Sequence, residues 1–304
     1  MGRDMTINQN SIKMGIVNKL LLTIRGWFMP EIIKNKPDQF TEEFIDFVFI
    51  PDFLNNIQKL ADLAEEENWN YQNPEFIMPD HNNPILENYL KYSYKQIKLE
   101  NKIFVSEDKK SACINTGLLS RNNQEDIYLL MNENFLPDKN QYWHFGKFAK
   151  GSDKDLLKTF GDNLPDMCEY FIDPSELMFD ARKEIKINYD HIIDDHFDRF
   201  PENVRQHRSK YEVRGLLSHA TDRIKKRIKR NYKIAIPQCY DGKIQFLIPI
   251  CLTDPLNTDV ALVLEKIQDQ SGDFIYRGNT IFTLDMAYNH ARQIAKPGNE
   301  WLTP

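Results

Sequence analysis

The spacing of apolar residues changes along this chain, and the change limits the folds open to it. In the first part they recur every three or four positions, as Ile57, Leu60, Ala61 and Ala64 and again as Ile85, Leu86, Tyr89, Leu90, Tyr94 and Ile97, which is the period of helices buried on one side. From residue 102 the pattern becomes short apolar or alternating runs at 102–105, 112–115, 127–131 and 142–148, separated by polar or glycine-containing turns, as in strands. The last third repeats that pattern at 233–236, 243–250, 260–266 and 280–284, with Asp241-Gly242 as a hairpin turn and Gly278-Asn279 as an expected second. Strands joined by short turns, with helices before and after, predict an α+β protein with a largely antiparallel sheet and flanking helices.

One flanking helix is unusual in charge. Residues 205–233 hold eleven Lys or Arg against Glu212 and Asp222, a local net of +9 in a chain whose total is −6. Within it Val213, Leu216, Leu217, Ala220, Ile224 and Ile228 fall on one helical face, so the stretch is predicted to be a long basic amphipathic helix with its cations turned outward. A basic stripe on an acidic body attracts polyanions. The plainer alternative is a solvated helix face.

Two domains of very different size are expected. Residues 1–40 contain apolar residues at 16, 20, 24, 27 and 28, interrupted by Lys19 and Arg25 and followed by Pro30 and Pro37. This reads as an amphipathic helix and linker, able to pack on the body or hold a protein partner, and as neither a signal peptide nor a membrane span. Residues 41–304 form the single α+β domain. The four cysteines at 113, 168, 239 and 251 show no metal or disulfide spacing, so reduced thiols and a cytoplasmic location are expected. No residue pattern identifies a cofactor or a defined metal motif.

Several clusters could carry chemistry. The stretch from Asn188 to Pro201 is dense in titratable groups, and His191 there is the candidate proton donor or acceptor because an ordinary imidazole titrates near neutral pH. Phosphate or nucleic-acid contacts are assigned to Asn115 and Thr116 at a glycine turn, and to Arg199. They are assigned also to Lys226, Arg227, Arg230, Asn231 and Lys233 of the basic stretch, and to Asn289 and Arg292 of the last helix. Nucleotide-binding glycine loops and common hydrolase motifs are absent.

The segments Asn115-Thr-Gly-Leu118, Asn188-Tyr-Asp-His191, Arg199-Phe-Pro201, Arg230-Asn-Tyr-Lys233, Leu284-Asp-Met-Ala-Tyr288 and Trp301-Leu302, with Asn289 and Arg292, carry a resemblance. Over roughly residues 53–302 the chain resembles an uncharacterised, mainly bacterial domain-of-unknown-function family that is sometimes joined to OST-HTH (LOTUS) modules. No such module occurs in this chain, and His196 stands where the family pattern has Asn. The resemblance implies no catalytic residue, but its OST-HTH association points toward RNA. The leading expectation is therefore an RNA-associated protein, in RNA processing or defence, that binds phosphates through residues 205–233. The alternative is an enzyme acting on a phosphate ester or nucleotide, or a small-nucleotide sensor, with His191, Arg230, Lys233 and Arg292 in one pocket.

Overall fold

The structure, a computed structural model, describes residues 39–269, 272–298, 301 and 302. The helix and linker expected over 1–40 fall almost wholly outside them. The described chain contains both helices and sheets and is of the α+β class. Where one sheet was expected there are two, each of five strands.

The first sheet is ordered β1-β5-β4-β3-β2, from β1 (Val48–Phe49), β2 (Phe104–Val105), β3 (Ser111–Leu119), β4 (Asp126–Glu133) and β5 (Trp143–Lys150). The second is ordered β6-β10-β9-β8-β7, from β6 (Ile185–Ile187), β7 (Ile236–Tyr240), β8 (Lys243–Ile250), β9 (Val260–Gln268) and β10 (Phe274–Phe282). In each sheet only one edge pair is parallel, β1 with β5 and β6 with β10. The consecutive strands joined by short turns pair antiparallel, as hairpin connections require.

Strand alternation divides the core into layers. In β3 and β4, Ala112, Ile114, Ile127, Leu129 and Met131 face a large central core, whereas Cys113, Tyr128 and Leu130 face a smaller one under helix α4 (Lys154–Phe160). In β8 and β9, Leu247, Ala261 and Val263 face that same central core, and Phe246, Ile248, Leu262 and Leu264 face a third one. Four helices help fill the centre: α1 (Phe44–Phe47), α2 (Phe53–Leu63), α3 (Pro84–Leu99) and α8 (Leu284–Arg292). The third core lies under α5 (Tyr189–Asp195) and α7 (Lys210–Ile228). Strands β8 and β9 are thus covered on both faces, which accounts for their nearly continuous apolar runs.

Two turn expectations have different outcomes. Asp241 and Gly242 both take positive φ, 50° and 69°, and close the β7–β8 hairpin in the manner of a two-residue loop. Gly278-Asn279, expected as a turn, instead lies inside β10 at a register shift. A Cβ built at Gly278 would lie 3.3 Å from both Leu262 and Leu264 side chains, so the residue serves close packing within the sheet.

The basic stretch also departs from one long helix. It begins as α6 (Glu202–His207), breaks at Arg208, and restarts as α7. The restart is a capping box in which Ser209 Oγ accepts from the Glu212 N–H while a Glu212 carboxylate oxygen accepts from the Ser209 N–H. Beyond Ile228 the strand expected at 233–236 is delayed: residues 232–234 form a 3-10 turn and β7 starts at Ile236. None of the described helices is long and apolar enough to cross a membrane.

Candidate functional site

Contacts with the body separate the basic stretch into two parts, apart from Arg208, which is exposed at the break before α7 and has no carboxylate within 4.0 Å among the described residues. Arg205 pairs with Glu75 at 2.6 Å, Lys210 with Asp194 at 3.1 Å and Arg214 with Asp190 at 2.7 Å. Arg223 donates to the Cys251 carbonyl at 2.6 Å and Lys225 to that of Ile185 at 3.3 Å. These side chains dock the helix on the body. From Lys226 onward the arrangement changes: Lys226, Arg227, Lys229, Arg230 and Lys233 are exposed and have no carboxylate within 4.0 Å among the described residues.

These five cations sit where the helix ends and the chain turns into β7. The helix dipole favours positive charge at this end. Arg230 donates from Nη1 to the Lys226 carbonyl at 2.7 Å, closing the final turn. Asn231 Oδ1 accepts from the Lys233 N–H at 3.2 Å and so shapes the following turn. Between them Tyr232 is 49% exposed. The result is a compact cationic turn with an accessible ring at its centre.

The acidic cluster of residues 188–201 is largely engaged by the basic helix, since Asp190 and Asp194 of α5 neutralise Arg214 and Lys210. His191 is paired through Nδ1 to Asp195 at 2.7 Å, one turn along the same short helix. Its ring lies 5.8 Å from that of His196. Burial, with the nearby Arg199 and His191 charges, lowers the His196 pKa. No group of three or more His, Cys, Asp or Glu able to hold a metal ion occurs among the described residues.

Other candidates have structural roles. Asn115 and Thr116 are buried: Asn115 donates to the Pro165 carbonyl and accepts from the Gly117 N–H, and Thr116 donates to the Ile127 carbonyl. They shape a β-bulge and present no groups to a phosphate. Arg199 donates from Nη1 to Thr280 Oγ1 and to the Ile281 carbonyl, both at 2.9 Å, tying its loop to β10 beyond the reach of β6. Asn289 donates to the Asp285 carbonyl one turn back.

Arg292 is the clearest correction. Its Nε donates to both Glu67 oxygens at 2.9 Å, the Glu67 side chain is 3% exposed, and the guanidinium lies over the rings of Tyr89 and Trp69. Tyr288 also donates to Glu67. A cation held in this way is not available to an external anion. Moreover, α8 packs on the central-core side of the second sheet and α5 on the opposite side. Arg292 and His191 therefore lie on different faces of that sheet, and the four-residue pocket expected with Arg230 and Lys233 does not assemble.

Sequence reasoning missed Glu67, whose partner is 225 residues away. It also missed Gln245 and Glu265, polar residues within otherwise apolar strands, although that interruption of the pattern was readable.

The family described as "Domain of unknown function (DUF3825)" matches residues 60–301. No curated protein and no solved structure matches the chain.

Proposed function

The chain belongs to this family of unknown function, and we propose that it binds the phosphate backbone of single-stranded RNA through the cationic turn. The carrying observation is that, among the described residues, Lys226, Arg227, Lys229, Arg230 and Lys233 have no carboxylate partner and lie together, whereas Arg205, Lys210, Arg214, Arg223 and Lys225 are engaged by carboxylates or carbonyls of the body. Cations left unpaired and clustered gain from releasing the counterions condensed on a polynucleotide. Tyr232, exposed among them, supplies a ring for an unstacked base. RNA is preferred to DNA because of the resemblance to a mainly bacterial family with OST-HTH partners. That choice rests on analogy, whereas the phosphate contact rests on charge.

The test is anisotropy of a labelled single-stranded RNA across a salt series, comparing the wild type with a variant carrying Gln at all five positions. Five phosphate contacts contribute about −3.5 to the slope of log affinity against log salt on a single strand. The variant is expected to lose about that much slope and most of its affinity while keeping its circular dichroism. Unchanged affinity and slope would show that the turn is not the site.

A further inference from the structure

On the central-core face of the second sheet, the apolar pattern gives way to a polar row. Strand register aligns Gln238 of β7 with Gln245 of β8, Gln245 with Glu265 of β9, and Glu265 with Arg277 of β10. Above this row lies a cavity of about 330 Å³, which Gln245, Glu265 and Arg277 line together with Asn279, Tyr240 and Phe282. His196 and Arg199 reach it from the loop that follows α5. The volume is near the lower end for small-molecule sites, about 300 Å³ and upward.

The bonding of these groups is one-sided. Glu265 Oε1 accepts from Arg277 Nε at 2.7 Å and from Asn279 Nδ2 at 3.0 Å, and Arg277 Nη2 is 2.6 Å from the same oxygen. Oε2 has no partner among the described residues. Gln245 Oε1 accepts from Nε2 of the fully buried Gln238 at 2.8 Å, and Gln245 Nε2 has no partner among the described residues. Among the described residues Arg199 spends only Nη1 on hydrogen bonds, and its guanidinium lies 5.9 Å over the Phe282 ring. The Glu265 and Arg277 side chains are partly exposed, so their unbonded ends are open to whatever enters the cavity. Here each is anchored at one end and free at the other, beside an aromatic wall.

We propose that this cavity receives a single nucleobase. Glu265 Oε2 accepts from a ring or exocyclic N–H, and Gln245 Nε2 donates to the neighbouring acceptor of the same edge. All bases present such donors and acceptors on their polar edges, and proteins combine that contact with stacking on aromatic rings or arginine planes. Tyr240, which is exposed, and the Arg199 guanidinium, backed by the buried Phe282 ring, supply the stacking surfaces. The base belongs either to a free nucleotide or to a strand bound elsewhere on the protein. The proposal uses none of the five cations of the turn, so it stands or falls separately from the RNA-backbone reading.

Two exchanges test it in the full chain. Glu265→Gln retains an acceptor for Arg277 and Asn279 but replaces the free acceptor by a donor. Gln245→Glu retains the acceptor for Gln238 but replaces the free donor. Titration calorimetry with the four ribonucleoside monophosphates and with inorganic phosphate, plus anisotropy with a short single-stranded RNA, reads both sources of the base. Each exchange is expected to weaken binding about tenfold or more, with the melting temperature held near that of the wild type. Loss seen with a mononucleotide, and retained in the five-cation variant, identifies a free nucleotide as ligand. Loss confined to the RNA identifies a base of the bound strand. The proposal is overturned if neither ligand class responds to either exchange, or if inorganic phosphate binds as tightly as the nucleotides.

Discussion

Replacing His290 by phenylalanine should remove a defined part of the protein's sensitivity to acid. The imidazole is stacked 4.8 Å from Phe282 at 18° and 5.5 Å from Tyr92 at 28°, and its Nδ1 is buried with no hydrogen-bond partner among the described residues. Burial pushes its pKa down from 6.5 to about 4. In the unfolded chain the ring takes up a proton near 6.5; in the folded protein it resists until about 4. Between those values the unfolded state binds more protons, so stability falls as pH falls, and the loss is complete below the folded pKa. At about pH 5 the ring is some 1.5 units below its unfolded pKa, which corresponds to about 2 kcal/mol lost relative to pH 7. Carboxylates with lowered pKa values, such as Asp180 held at about 2 by Arg182, contribute stability that is lost only below their unfolded values near 4. They leave the higher window to the histidines. His196, also lowered, acts in the same direction in both proteins and cancels in the comparison. Urea melts from pH 7 to pH 5 measure the difference directly. Phenylalanine shifts stability at every pH through its packing, but the wild type should lose about 2 kcal/mol more than the variant across the window. Parallel stability curves would refute the reasoning, because they would mean the folded protein protonates His290 as easily as the unfolded chain does.

Two further expectations concern the interior. Arg292→Met leaves the buried Glu67 without its counter-charge and should cost about 3–5 kcal/mol in chemical denaturation, while adding Glu67→Leu should recover part of the loss; simple additivity would contradict the assigned pair. Gly117→Ala places a Cβ 2.5 Å from Tyr89 Oη at a residue with φ +71°, for an expected loss of about 2–4 kcal/mol. Tyr89→Phe in the same chain should relieve the overlap but leave the backbone part of that cost, and full recovery would show that φ is not strained.

Much of the local structure was legible because its causes are local. Asp241-Gly242 makes a hairpin turn because two adjacent residues tolerate left-handed backbone, and the apolar positions of α7 match its buried face because helical period alone sets them. The break before α7 was not read from the sequence, although its signal, the Ser-x-x-Glu spacing of a capping box, is equally local. Gly278-Asn279 shows where such signals end: the pair looks like a turn in isolation, but β6 and β9 hold β10 extended on either side of it. Tertiary structure also decided which cations are free. Arg292 and Arg230 are the same residue type where a helix ends, yet Glu67 arrives beside the first and, among the described residues, no carboxylate arrives beside the second. Alternation within β8 and β9 determined that Gln245 and Glu265 share a face with Leu247 and Val263, but strand register and the loop carrying Arg199 made a cavity there. Backbone preference and periodicity act over a few residues, whereas charge pairing and cavity formation depend on distances of a few ångströms between segments that only the fold brings together.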